Sequence, residues 1–459
     1  MNPIAIGVLV YVVLQLLVGL AASRRIQSTA DYLLAGRSLG YGLAIFSLFA
    51  TWFGAESCIG AAGAVYSDGL RGARADPFGY TICLALMGLL FAGPLRASGS
   101  LTLGEAFRTR FSPAAEKLVV LFLVPASVLW ASAQIRALGQ VVSATTGLDF
   151  ALSSGVATAV VIVYTGSGGM RADVVTDLIQ GIALIIGLLV LLAAVVAHMG
   201  GIGAAASAAS GALASIHPHP EPALIGWEEW LVPIAGSITA QELASRVLAC
   251  RSVSVARNSS LISAVLYMVV GLVPLTLGLL GMQILPGLEK PETVISALAD
   301  RHLHGLLQIL LYGALISAIL STVDSNLLSA SALVSHDLVP KRYVSEGNRL
   351  RLARGLIVVF GLVAYALALS GESVYALVYD ASAFGGGGMA VAMGFGLLSR
   401  FGGGAAAVAA MVTSLLIQVL FKWVWPVTAP MTVSCIVSLF VYLGVAVVEG
   451  RRRIAHGSP

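Results

Sequence analysis

The chain has 459 residues and a formal net charge of +4, with 58% hydrophobic and only 10% charged residues; its mean hydropathy is +0.93. Soluble domains carry about 25% charged residues, so the composition excludes a water-soluble globule and a disordered chain. With no basic patch it also excludes a nucleic-acid binder.

Thirteen apolar segments of roughly membrane-crossing length follow one another. They cover 4–22, 40–66, 76–95, 118–140, 148–166, 173–198, 226–245, 259–283, 304–335, 352–370, 375–399, 403–422 and 428–448, numbered here as spans 1 to 13. Span 1 follows Met1-Asn2-Pro3 with no charged leader and no cleavage site, so it is expected to be a retained span and not a signal peptide. The connection between spans 6 and 7 is the longest polar stretch. Its His217 and His219 alternate with prolines and are expected to be solvated loop residues, with metal binding as the alternative. Cys58, Cys83, Cys250 and Cys435 form no CxxC pair, which suggests neither a disulfide framework nor a zinc site. No nucleophile–base pair, metal cluster or phosphate loop stands out. The expectation is therefore no enzyme, no catalytic residue, no transition metal and no organic cofactor.

Basic residues set the orientation. With the N-terminus outside, inside loops hold 20 of the 26 Lys and Arg; Arg71, Arg74, Lys290, Arg301 and Lys422 lie outside, and Arg136 lies within span 4. This predicts a multi-pass protein of the plasma (inner) membrane with the C-terminus in the cytoplasm.

Polar backbone at membrane depth is tolerated only where it lines a cavity, so interrupted segments point to a site. Span 2 carries Glu56 between Gly54 and Gly60, beside Ser57. An intramembrane carboxylate is functional by default; the alternative is a helix-to-helix hydrogen bond. In span 7, Pro233 and Gly236 flank Ser237, which predicts either an opened backbone or a simple kink. Span 9 holds a run of small hydroxyls, Ser317 to Ser331, with Asp324 inside it. Several neutral oxygens suit a hard cation, whereas helix packing alone does not call for an aspartate. Asp177 and Gln180 share one face near the start of span 6; Asp177 is either an interfacial charge or part of an ion path.

Spans 2 and 7 are five apart. Units 2–6 and 7–11 would then be inverted repeats, each opening with a broken helix, which is the LeuT-type architecture. The corresponding division is 1–39 (peripheral span and inside loop), 40–198 and 199–399 (the two five-helix repeats), and 400–459 (two peripheral spans and a basic tail).

Several motifs in order resemble the solute:sodium symporter family. They are Asp31-Tyr32-Leu33-Leu34-Ala35-Gly36-Arg37, the span 2 stretch ending Gly63-Ala64-Val65-Tyr66, Trp130 through Gln134, Gly168-Gly169 with Thr176-Asp177-Leu178-Ile179-Gln180, Gln241 with Arg246, and Ser321 through Ser325. Ala50-Thr51-Trp52, Pro77-Phe78-Gly79-Tyr80 and Phe91-Ala92-Gly93-Pro94-Leu95-Arg96 are most similar to the high-affinity choline-transporter branch. The resemblance implies sodium held by backbone carbonyls of Ala50, Phe53 and Ala318 and hydroxyls of Ser321 and Thr322. It implies a second sodium at Asp177, Ser321, Asp324 and Ser325. It also implies a cation–π cage in which Trp52, Tyr80 and Trp130 match, whereas Ala240 and Val378 stand near two family tryptophans. The asparagine and tyrosine of the sugar-transporting branch are absent from span 7, which argues against a sugar.

The expected function is sodium-coupled symport of a small organic solute (an amino acid, betaine or amine) by alternating access. The substrate-binding residues are expected to be Trp52, Glu56, Ser57, Tyr80, Trp130, Gln134 and Ser237. The partners are sodium, the solute and the lipid bilayer, with the protein acting as a monomer. The alternatives are proton coupling on the same fold and a membrane solute sensor.

Overall fold

A computed structural model describes residues 6, 7, 10, 13, 14, 17, 29–215, 223–339, 344–370 and 373–455. Most of span 1, together with His217 and His219, lies outside the described residues. The described chain is all helical apart from one isolated bridge, Leu39 to Cys250. Seven described helices are long and apolar enough to cross a membrane, and an eighth crossing is the pair Ala376–Ala383 and Gly386–Leu398, bent by 46°. Among the described residues, span 7, span 12 and the first half of span 2 fall short of that length because their helices are short or interrupted.

One of the long stretches is folded back on itself. Phe150–His198 runs for 49 residues, which as a straight helix would reach about 74 Å, far beyond a hydrocarbon core of about 30 Å. The chain reverses at Gly169, where φ is 55°. The reversal lets the Tyr164 hydroxyl meet the Thr176 hydroxyl at 2.7 Å, twelve residues along the chain. A Cβ at position 169 would lie 2.6 Å from the Tyr32 ring, so only glycine fits there. The predicted spans 5 and 6 are the two arms of this hairpin.

Spans 2 and 7 are both discontinuous. In span 2 the helix Tyr41–Ala50 ends, a turn follows, and helix resumes through Glu56–Gly60 and Ala61–Asp68. In span 7, Ala223–Leu231 widens over Val232–Gly236, tightens over Ser237–Thr239, and stops at Ala240, whose φ and ψ are −62° and 132°. A new helix, Gln241–Ala249, begins beyond it. Proline contributes no amide hydrogen at position 233, and Gly236 permits close approach to span 11. A Cβ there would lie 2.0 Å from the Ser382 carbonyl oxygen. The two broken spans also meet at one end, where Leu39 exchanges backbone hydrogen bonds with Ala249 and Arg251.

Two connecting segments are more ordered than expected. The polar connection after span 6 contains the helix Ile202–Ser215, and the one before span 9 contains Val294–His302. The first is alanine-rich, and alanine has the highest helix propensity, so glycine and serine did not prevent a helix there. The centre of the molecule is dense: span 9, as the helix Leu306–Ala332, is buried continuously from Leu311 through Ala332.

Candidate substrate and sodium sites

The break in span 2 frees backbone oxygen. In an uninterrupted helix the Gly54 amide would donate to the Ala50 carbonyl and the Ala55 amide to the Thr51 carbonyl. Instead, Gly54 N–H donates to the Trp52 carbonyl at 2.8 Å, and Ala55 N–H donates to Gln134 Oε1 at 3.1 Å. Gln134 thus satisfies the orphan amide at the start of the second half-helix. The hydroxyl of Thr322 on span 9 donates to the Ala50 carbonyl at 3.4 Å and to the Ala318 carbonyl at 3.2 Å. Three of the five expected sodium ligands therefore converge, and Phe53 lies in the same turn with its backbone between Trp52 and Gly54. Gly54 is essential to this approach: a Cβ there would lie 2.6 Å from Thr322 Oγ1 and 3.1 Å from Gln134 Oε1.

The fifth residue, Ser321, points to the neighbouring cluster. Its hydroxyl donates to Asp177 Oδ1, and Ser47 donates to Asp177 Oδ2 at 2.6 Å. Asp177 thereby joins spans 2, 6 and 9. Ser325 meets this pair only through backbone, its hydroxyl donating to the Ser321 carbonyl at 2.9 Å. Its hydroxyl donates to Asp173 at 3.2 Å and receives a hydrogen bond from Arg246. Arg246 also pairs with Asp173, and its guanidinium lies 3.9 Å from Asp177 Oδ2. Both Asp173 and Arg246 are fully buried. Asp324 is buried too, with neither carboxylate oxygen hydrogen-bonded among the described residues. The four residues expected to hold a second sodium are thus divided: Asp177 with Ser321, Ser325 with the Asp173–Arg246 pair, and Asp324 alone.

The three expected cage residues come together. Trp52 and Trp130 stack with ring centroids 6.3 Å apart, and Tyr80 lies 5.4 Å from Trp52 and 6.1 Å from Trp130. The Tyr80 hydroxyl donates to Glu56 Oε1 at 2.9 Å. Ser57 turns the other way, donating to Asp76 Oδ2 at 2.6 Å, and the Tyr267 hydroxyl also reaches Asp76 Oδ2 at 2.9 Å. Ser237 sits apart from the carboxylates. It donates to Ser382 at 3.4 Å and shares with Trp130 and Ala240 a cavity of about 20 Å³. Ala240 lines this small space, whereas Val378 is fully buried in the core. Ligand pockets run to several hundred Å³, so this conformation holds the rings closed on one another.

A larger cavity of about 660 Å³ lies on one side of the break, lined by Gly60, Gly63, Ser67, Arg136, Glu289 and Glu292 among others. Gly60 is about one helical turn beyond Glu56, so a single turn of span 2 separates this vestibule from the carboxylate.

Sequence reasoning did not single out Asp76, Tyr267, Asp173 or Ser47. Asp76 was visible as a charged residue opening an apolar segment, directly before Pro77. Tyr267 carried no signal, because one tyrosine in an apolar helix has no periodic or motif context.

Known proteins resemble this chain in sequence and in fold. The sodium:solute symporter family model matches residues 32–416. The high-affinity choline transporter 1 of Caenorhabditis elegans is 27% identical over 82% of this chain and 70% of its own length. The human high affinity choline transporter 1 is 28% identical over 82% and 69%. The osmoregulated proline transporter OpuE of Bacillus subtilis is 24% identical over 83% and 82%. Among solved structures, a sodium-coupled sialic acid symporter in a substrate-bound outward-open state superposes with a TM-score of 0.85, at 16% identity over 98% of both chains. Mhp1, a nucleobase-cation-symport-1 family transporter, superposes at 0.66, with 16% identity over 95% of this chain and 96% of its own. With the family model matching well over half of its length, this multi-pass membrane chain belongs to the sodium:solute symporter family.

Proposed function

We propose that the chain imports a small, positively charged or zwitterionic organic solute together with sodium. Ala50, Phe53, Ala318, Ser321 and Thr322 hold the ion, and Trp52, Glu56, Ser57, Tyr80, Trp130 and Gln134 face the solute, with Ser237 at the edge of the site. The observation that carries this reading is the Ala50 carbonyl, released by the break in span 2 and met by Thr322 from span 9. An ion there ties the two spans together one turn from Glu56, so binding it organises the solute site. Asp177 with Ser321 is the place for a second ion, and Asp324 adds charge nearby. The N-terminus lies outside and the C-terminus in the cytoplasm of the plasma membrane, which makes the vestibule beyond Gly60 the outward one. Span 1, the repeats 40–198 and 199–399, and the last two spans form the working divisions of a monomer.

The test is ligand-dependent thermal stability of the purified protein in sodium and in potassium. A ligand that binds only the folded state stabilises it by mass action, about 2.7 kcal/mol at 100 times Kd. Sodium is expected to raise the melting temperature of the wild type, and Thr322→Ala to shift that effect to higher sodium. Equal curves in the two salts for both proteins would remove the ion site.

A further inference from the structure

The solute site contains two carboxylates, and each leaves one oxygen unused. Glu56 is 2% exposed and Asp76 is 1% exposed. Glu56 Oε1 accepts from Tyr80 and Asp76 Oδ2 accepts from Ser57 and Tyr267, whereas Glu56 Oε2 and Asp76 Oδ1 have no hydrogen-bond partner among the described residues. No described Lys, Arg or His side chain hydrogen-bonds or ion-pairs with either carboxylate. The two are joined through the site: Ser57 follows Glu56 in sequence and bonds Asp76, and Tyr80, which bonds Glu56, lies 6.4 Å ring to ring from Tyr267, which bonds Asp76. Two donors are also unpartnered and buried beside them, Trp130 Nε1 and Gln134 Nε2.

A buried polar atom without a partner is costly, and each one calls for a partner such as a water, an ion or a ligand. The deficit here has a specific shape. Two buried carboxylate oxygens favour a donor carrying positive charge, which an ammonium N–H supplies, and two donors call for an acceptor oxygen. A fully methylated ammonium satisfies the rings through cation–π attraction but has no N–H for either carboxylate. A site built to hydrogen-bond N–H groups discriminates strongly against an analogue that lacks them. We infer that the solute is an ammonium retaining N–H bonds, a primary or secondary amine carrying a nearby hydroxyl or carbonyl oxygen, which bridges Glu56 and Asp76, and that quaternary ammonium is disfavoured. The inference rests on the sodium-symport reading above and adds the substrate class.

The experiment is a methylation series, ethanolamine, N-methylethanolamine, N,N-dimethylethanolamine and choline, titrated against the purified wild type in sodium and in potassium. The intrinsic tryptophan fluorescence and the thermal shift are read together. Affinity in sodium is expected to fall with each added methyl, with choline at least tenfold weaker than ethanolamine, about 1.4 kcal/mol. Glu56→Gln combined with Asp76→Asn is expected to bring ethanolamine and choline within threefold of each other. If that variant fails to fold, the wild-type series decides alone. Choline binding as tightly as ethanolamine, in a sodium-dependent way, would overturn the N–H assignment and leave the symport reading standing. No binding by any member would overturn the inferred substrate class and leave the symport reading standing, whereas sodium-independent binding of the whole series would overturn the reading on which the inference rests.

Discussion

Adding one methyl group at Gly54 tests the ion site without removing any ligand. The Cβ of Gly54→Ala would lie 2.6 Å from Thr322 Oγ1 and 3.1 Å from Gln134 Oε1, whereas carbon and oxygen in ordinary contact sit at about 3.3 Å or more. Thr322 must yield by roughly 0.7 Å, and its β-branched side chain is stiff at χ1. Moving it withdraws the hydroxyl from the Ala50 and Ala318 carbonyls. Overpacking of this kind costs about 1–3 kcal/mol. If the strain falls on the ion-bound state, sodium affinity drops by about 5- to 150-fold, since each 1.4 kcal/mol is a factor of ten. Gly60→Ala is the matched control: it adds the same methyl in the same span, and its nearest atom, Cγ of Glu56, is 3.8 Å away. The assay is a sodium titration of thermal stability for wild type, Gly54→Ala and Gly60→Ala. Gly60→Ala should stay within about twofold of wild type, as expected for added van der Waals contact without strain. Unchanged sodium affinity in Gly54→Ala would refute the assignment of Thr322 and Ala50 as ion ligands.

Three further outcomes are expected. Ser321→Ala removes one of the two hydroxyls donating to Asp177; leaving a buried acceptor short costs about 1–3 kcal/mol, and a sodium titration should show weakened dependence, with an unaltered curve counting against Ser321 as a ligand. Arg246→Ala strands the buried Asp173; breaking a buried pair from one side costs about 3–5 kcal/mol, so a melting temperature near that of wild type would show that the pair is not ionised as drawn. Glu228 accepts from the Met431 and Thr432 amides and from the Thr432 hydroxyl, each at 2.7 Å, and so caps the helix Pro430–Ala455. Glu228→Ala should lower stability by about 1–3 kcal/mol and leave sodium affinity unchanged; a shifted sodium curve would tie the peripheral helices to the ion site.

Much of the fold was legible because a bilayer imposes strict rules. Apolar length marked the segments, and small or helix-breaking residues marked the interruptions in spans 2 and 7. Where span 7 opens was less legible. Pro233 and Gly236 drew attention, but the extended residue is Ala240, which no propensity distinguishes from a helical alanine. The site was legible where a residue's chemistry was out of place, as with Glu56 and the hydroxyl run of span 9. It was not legible where partners come from distant sequence: Asp76 is brought to Ser57 by the reversal between spans 2 and 3, and Tyr267 reaches both from span 8. The split among Asp177, Ser325 and Asp324 could not be read from spacing either. Asp173 at the start of span 6, and Arg246 from the helix Gln241–Ala249, engage the hydroxyl of Ser325.

Uptake into proteoliposomes addresses the central claim, that one break in span 2 couples sodium to an organic cation. Ethanolamine entry would be followed under an inward sodium gradient, under equal sodium, and under an inward proton gradient with sodium replaced by potassium. The account predicts accumulation above equilibrium only with the sodium gradient, abolished by Gly54→Ala at low sodium and restored when sodium is raised. Accumulation driven by the proton gradient without sodium, or equal entry under all three conditions, would contradict it.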